Sequence, residues 1–168
     1  MIEKNIYAIY DDDDDTFRVG YLISTNEEYS LFRLYTTRGY DDGFYITKTE
    51  EIYRVDYNNA YMKRILKLNN RIDNIDSPKN LNFNIKNLLV SLLNYAHEND
   101  CIVTIRLANG DVVTGLIINV NDKQVFMNVI NEDGESDGDS TIKTDVISRI
   151  WCDSGYERNI QMLRYADE

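Results

Sequence analysis

Proline is nearly absent: Pro78 is the only one in 168 residues, which excludes Pro-rich linkers. Cysteine occurs twice, as Cys101 and Cys152. Their spacing is not Cys-x-x-Cys, which argues against a zinc or thioredoxin-type site. His97 is the one histidine, so no His-rich metal cluster exists, and no partner base or nucleophile stands with it. Basic residues are scarce. Lys and Arg total 18 against 29 Asp and Glu, giving a net charge of −11 and a pI near 4.5. Such a balance argues against a large phosphate-binding footprint, which Lys and Arg would have to supply. Long apolar runs are missing too. Leu88-Leu89-Val90 and Leu116-Ile117-Ile118 fall far below a membrane span. The opening Met1-Ile2-Glu3-Lys4 has no charged-then-apolar pattern, and a cytoplasmic location is expected.

What is present is enough apolar material for a core, 43% of residues, and an internal echo. Residues 20–68 placed on 115–163 align without a gap and share thirteen identities. Among them are Gly20/Gly115, Asn26/Asn121, Gly39/Gly134, Gly43/Gly138, Lys48/Lys143, Arg54/Arg149 and Tyr61/Tyr156. The shared residues fall at turns and apolar positions, so one small unit is read as built twice. The expected organisation is a first domain over 1–72, a linker over 73–82 and a second domain over 83–168.

The second copy reads clearly. Alternating β-branched residues predict a strand over 102–107, and Asn109-Gly110 signals a hairpin. Strands are predicted over 112–120, with Gly115 marking a bend, and over 125–130, 140–144 and 146–152. The first copy gives the same order over 6–10, 17–24, 29–36, 44–48 and 51–57. Each copy ends in an amphipathic helix, through Tyr61, Ile65 and Leu68 or Tyr156, Ile160 and Leu163. Asn58 and Asp153-Ser154 are the expected caps. A further helix over 84–97 precedes the second copy only. The fold class expected is mainly β with short helices.

The segment from Val103 to Gly110, followed by Asp111-Val112-Val113-Thr114-Gly115, resembles the first motif of the Sm-like proteins. The segment from Ile142 to Ile147 is similar to their second motif. The resemblance implies two tandem five-stranded Sm-like (SH3-like) barrels joined side by side. It also implies an RNA-binding alternative, through the loop positions Asn26, Lys48, Asn121 and Lys143. At these positions the family's acidic residue is replaced by Asn, and its Arg-Gly by Lys-Thr.

Other features point to ordinary roles. Asp11 to Asp15 reads as a solvated hairpin tip, and Asn131 to Asp139 as a mobile acidic loop, so no metal is expected. Cys101 and Cys152 are expected as reduced neighbours on the first and last strands of one unit. The thirteen tyrosines and Trp151 suggest packing or protein contact. No nucleophile–base pair or phosphate loop suggests an enzyme, and neither a cofactor nor a small-molecule substrate is implied. The reading is a non-enzymatic interaction module that meets a protein partner or itself. Its candidate interface residues are Trp151, Tyr53 and Tyr57.

Overall fold

The computed structural model describes residues 5–11, 16–72 and 82–166. Its elements are β1 (Ile6–Asp11), β2 (Arg18–Thr25), β3 (Tyr29–Tyr35), β4 (Asp41–Lys48), β5 (Ile52–Tyr57) and α1 (Ala60–Ile72). There follow α2 (Leu88–Glu98), β6 (Ile102–Leu107), β7 (Val112–Val120), β8 (Gln124–Ile130), β9 (Ser136–Lys143), β10 (Ile147–Cys152) and α3 (Gly155–Ala166). All ten strands form one antiparallel sheet, ordered β5-β1-β2-β3-β4-β10-β6-β7-β8-β9. No helix among the described residues is long and apolar enough to cross a membrane.

This overturns the expected pair of closed barrels. Within each half the strand order is the same, but neither half closes on itself. The outer edge of β4 is taken by β10, with Phe44 opposite Cys152 and Ile46 opposite Ile150. Pairing with the other half satisfies the N–H and C=O groups that closure would otherwise have served. The sheet stays open, and β5 and β9 are its ends. Most of the expected linker, residues 73–81, lies outside the described residues.

Elements 95 residues apart match in type and bounds. β3 matches β8, β4 matches β9 and β5 matches β10. Their irregularities match as well. Ile23 and Ile118 are the extra residues of corresponding bulges against β3 and β8. Gly20 and Gly115 explain themselves sterically. A Cβ there would lie 2.2 Å from Arg33 O and 2.0 Å from Asn128 O, so only glycine lets the strands approach.

Local chemistry sets the turns. Asn26 Oδ1 accepts from the backbone N–H of Glu28 and Tyr29, and Asn121 Oδ1 from those of Lys123 and Gln124. α3 opens with a capping box: Glu157 accepts from the Ser154 N–H at 2.9 Å and from its hydroxyl. The Thr104 hydroxyl donates to the same buried carboxylate at 2.6 Å, tying α3 to β6. The α1 cap is Asn59, bonded to the Met62 N–H, rather than the expected Asn58, whose φ is 60°. α2 supplies Leu88, Leu89, Leu92, Leu93 and Ala96 to a core shared with β3, β4 and β6 to β10. One apolar cluster therefore spans both halves.

Candidate functional site

The two halves meet edge to edge along β4 and β10, and the chemistry concentrates there. Tyr45 lies opposite Trp151, with ring centroids 5.4 Å apart, and Arg18 stacks over both rings. Asp11 closes this group. Only 1% exposed, it accepts from Arg18 at 3.0 Å, from Arg149 at 3.2 Å and from the Tyr45 hydroxyl. Arg149, on β10, also pairs with Glu51 at 2.9 Å. A carboxylate of β1 thus holds a cation from the far half. Burial and the Asp11 charge keep the Tyr45 phenol far above its ordinary pKa, so it remains a donor.

A second ionic group lies at the start of β4. Arg33 grips Asp41 through two parallel hydrogen bonds of 2.5 Å. Arg158, on α3, reaches the same carboxylate at 2.8 Å and Asp153 at 3.2 Å. Asp42 accepts from the Gly155 N–H at 2.8 Å. Burial alone would raise the Asp41 pKa, but the bonds from Arg33 and Arg158 outweigh it and hold the carboxyl below its ordinary 3.8. A depressed carboxylate adds stability above its unfolded pKa and loses it as pH falls through the lower folded value. Acidification below about pH 4 should therefore cost the wild type more unfolding free energy than it costs Asp41→Asn. Parallel denaturant titrations of both proteins at several pH values would show it.

Gly43 makes the close approach feasible. Its φ is 76°, and a Cβ there would lie 2.4 Å from the carbonyl oxygens of both Cys152 and Asp153. Asp153 itself turns left-handed at φ 57°. These features recur at the two ends of the sheet. Gly138, on β9, has φ 89° with nothing within 4 Å of its would-be Cβ. Asn58, just past β5, has φ 60°. The ends differ from the junction in burial: β4 and β10 are mostly buried, whereas β5 and β9 are mostly exposed. On β5, Tyr53, Val55 and Tyr57 stand 63%, 43% and 68% exposed.

The structure separates the expected interface residues. Tyr53 and Tyr57 lie on the free edge β5, while Trp151 is half-buried inside the junction. Asn121 and Lys143 line one open recess with Asp122, Lys123, Gln124, Thr144 and Asp145. Lys48 sits among Glu27, Glu28 and Glu50, a setting unfavourable to phosphate. Asn26 and Asn121 use their side-chain oxygens on their own turns, and Asn26 donates to Ile85 O at 2.8 Å.

Asp11 corrects the solvated-tip expectation, since it is buried and ion-paired; Asp12 to Asp15 lie outside the described residues. The expected loop 131–139 is shorter than read, because β9 begins at Ser136 and takes Asp137 to Asp139 into the strand. His97 Nδ1–H donates to Ile117 O, 2.7 Å away, a structural tie. Among the described residues, no group of three or more His, Cys, Asp or Glu side chains is placed to hold a metal ion. Sequence reasoning missed Asp11, Glu51, Arg33, Asp41 and Arg158. The Arg54/Arg149 and Gly43/Gly138 identities and Trp151 were the signals that touched the junction. No family model matches the chain, and no curated protein or solved structure is significantly similar to it.

Proposed function

We propose that this protein is a non-enzymatic interaction module, a duplicated unit whose sheet adds further copies of the chain edge to edge. The carrying observation is the contrast between Gly43 and Gly138. The former is filled by the backbone of Cys152 and Asp153, and the latter is vacant on an end strand whose outer edge is open. Counting 95 residues along from the junction, β9 of one copy receives β5 of the next. The register then sets Ile142 opposite Arg54, Thr141 opposite Val55, Ser140 opposite Asp56 and Asp139 opposite Tyr57. Asn58 would seat its left-handed turn at Gly138 as Asp153 does at Gly43. An exposed edge carrying Tyr53, Val55 and Tyr57 also fits such pairing, because unpaired strands template it. The interface is head to tail, so copies close into a ring or run on as a filament.

Sedimentation velocity tests this. The wild type should sediment as a multiple of 19.6 kDa that grows with concentration. Val55→Glu with Tyr57→Glu, two surface changes, should return it to the monomer with unchanged circular dichroism. A wild type that stays monomeric up to millimolar concentration overturns the proposal. So would assembly that appears only with added A-rich or U-rich RNA, which would favour the Asn121–Lys143 recess instead.

A further inference from the structure

The junction strand β10 ends in a cysteine that association does not use. Cys152 is fully buried and lies opposite Val103 on β6. Cys101 immediately precedes β6, diagonal to Cys152, and the two thiols lie within hydrogen-bonding reach of each other. The ladder continues past the strand ends, with the Asp153 N–H bonded to Ile102 O at 3.3 Å, which keeps the two cysteines side by side. Both are free thiols, and both pack into the same apolar cluster as Tyr95. Their exposures differ: Cys101 is half-buried and Cys152 is sealed.

Arg33 adds an independent observation. It is 5% exposed, two of its nitrogens are spent on Asp41, and its Nη1 is buried without a hydrogen-bond partner among the described residues. Its charge acts on both Cys101 and Tyr95, and at Cys101 it works against burial and the larger effect of the Asp153 carboxylate, with Asp100 also opposing. A buried cation with a donor to spare is a setting that favours a thiolate.

We propose that Cys101 and Cys152 are an oxidisable dithiol, in which Cys101 meets a hydroperoxide and Cys152 resolves the product into a disulfide joining the end of β10 to the residue just before β6. The Cys101 thiolate attacks the outer peroxide oxygen, the O–O bond breaks, and the leaving oxygen takes a proton to give water or an alcohol. Cys101 is then a sulfenic acid. The Cys152 sulfur attacks it, the S–O bond breaks, and the hydroxide leaves as water with the Cys152 proton. Two electrons have passed from the two sulfurs to the peroxide. The neighbouring sulfur sets the roles, lowering Cys101 and, with full burial, raising Cys152 well above the ordinary thiol range. The accessible sulfur is thus the attacking one, and the sealed sulfur waits as a thiol.

The test is intact mass spectrometry of the folded chain after brief exposure to a slight excess of hydrogen peroxide. The expected product has lost two hydrogens, gives a cross-linked Cys101–Cys152 peptide and returns to the starting mass with dithiothreitol. Cys152→Ala should instead retain one oxygen on Cys101, trapped by dimedone. Because Cys152 lies in the core, Cys101→Ala is read alongside it, and its remaining thiol should ignore peroxide while the protein stays folded. Two unreacted thiols in the wild type, or disulfide-linked dimers through Cys101 alone, would overturn the proposal. Neither result depends on whether the sheet edges associate.

Discussion

Asp11→Ala is expected to lower the unfolding free energy by about 3–5 kcal/mol, the usual cost of removing one partner of a buried ion pair. The carboxylate is 1% exposed, and it faces Arg18, Arg149 and the Tyr45 hydroxyl at once. Deleting it leaves two guanidinium groups facing each other in the place it bridged, with Arg149 itself only 4% exposed. Asp11→Asn should cost less, because the amide keeps an acceptor for one donor while losing the charge. Glu51→Ala should cost less again, since that side chain is 23% exposed and solvent shares its load. Denaturant titration read through Trp151 is the natural measurement. Trp151 is the only tryptophan, and it stacks on Tyr45 inside this cluster. A loss below about 1 kcal/mol for Asp11→Ala would mean that solvent already screens the group as it screens a surface pair. Since Arg149 belongs to the far half, Asp11→Ala should also loosen β4 from β10. Hydrogen exchange along Phe44–Lys48 should then rise more than along β7.

The strands were legible because their causes are local. Alternation in Ile102–Leu107, the Asn109-Gly110 hairpin and the Asn26 and Asn121 turns are short-range chemistry. The adjacency of Cys101 and Cys152 followed from strand order alone. The junction was not legible, because which edge β4 meets depends on a strand more than a hundred residues away. Nothing in Phe44-Tyr45-Ile46 says whether its partner is β5 or β10. Asp11 misled for a related reason. It opens a run of five carboxylates, and the run reads as solvent chemistry. Only the bulge at Tyr53, which sets Asp11 opposite Ile52, together with the arrival of Arg149, makes its first member a core residue. The Gly43/Gly138 identity was visible but could not be given a cause, since one copy needs its glycine within the chain and the other has space beside it.

That difference gives the second large effect, Gly43→Ala against Gly138→Ala. Both residues sit in the left-handed region, at φ 76° and 89°, so each substitution carries about 1–2 kcal/mol of backbone strain. Gly43 bears a further cost. Its new Cβ would meet two backbone carbonyl oxygens at 2.4 Å, and backbone held in a sheet does not rotate away as a side-chain tip can. Forced repacking of this kind adds about 1–3 kcal/mol, so Gly43→Ala should lose about 2–5 kcal/mol in all. Gly138→Ala meets nothing in the isolated chain and should lose the strain alone. If β5 of a second copy docks at that notch, Gly138→Ala should also weaken association, because the methyl group would meet the Tyr57 and Asn58 backbone of the next chain. Gly43→Ala, checked at a denaturant concentration where it remains folded, should leave the free edges able to pair. Thermal melts measured with sedimentation on both variants separate these effects. Equal stability losses would mean that the β4–β10 contact yields around a methyl group, and unchanged assembly of Gly138→Ala would place the self-association elsewhere on the molecule.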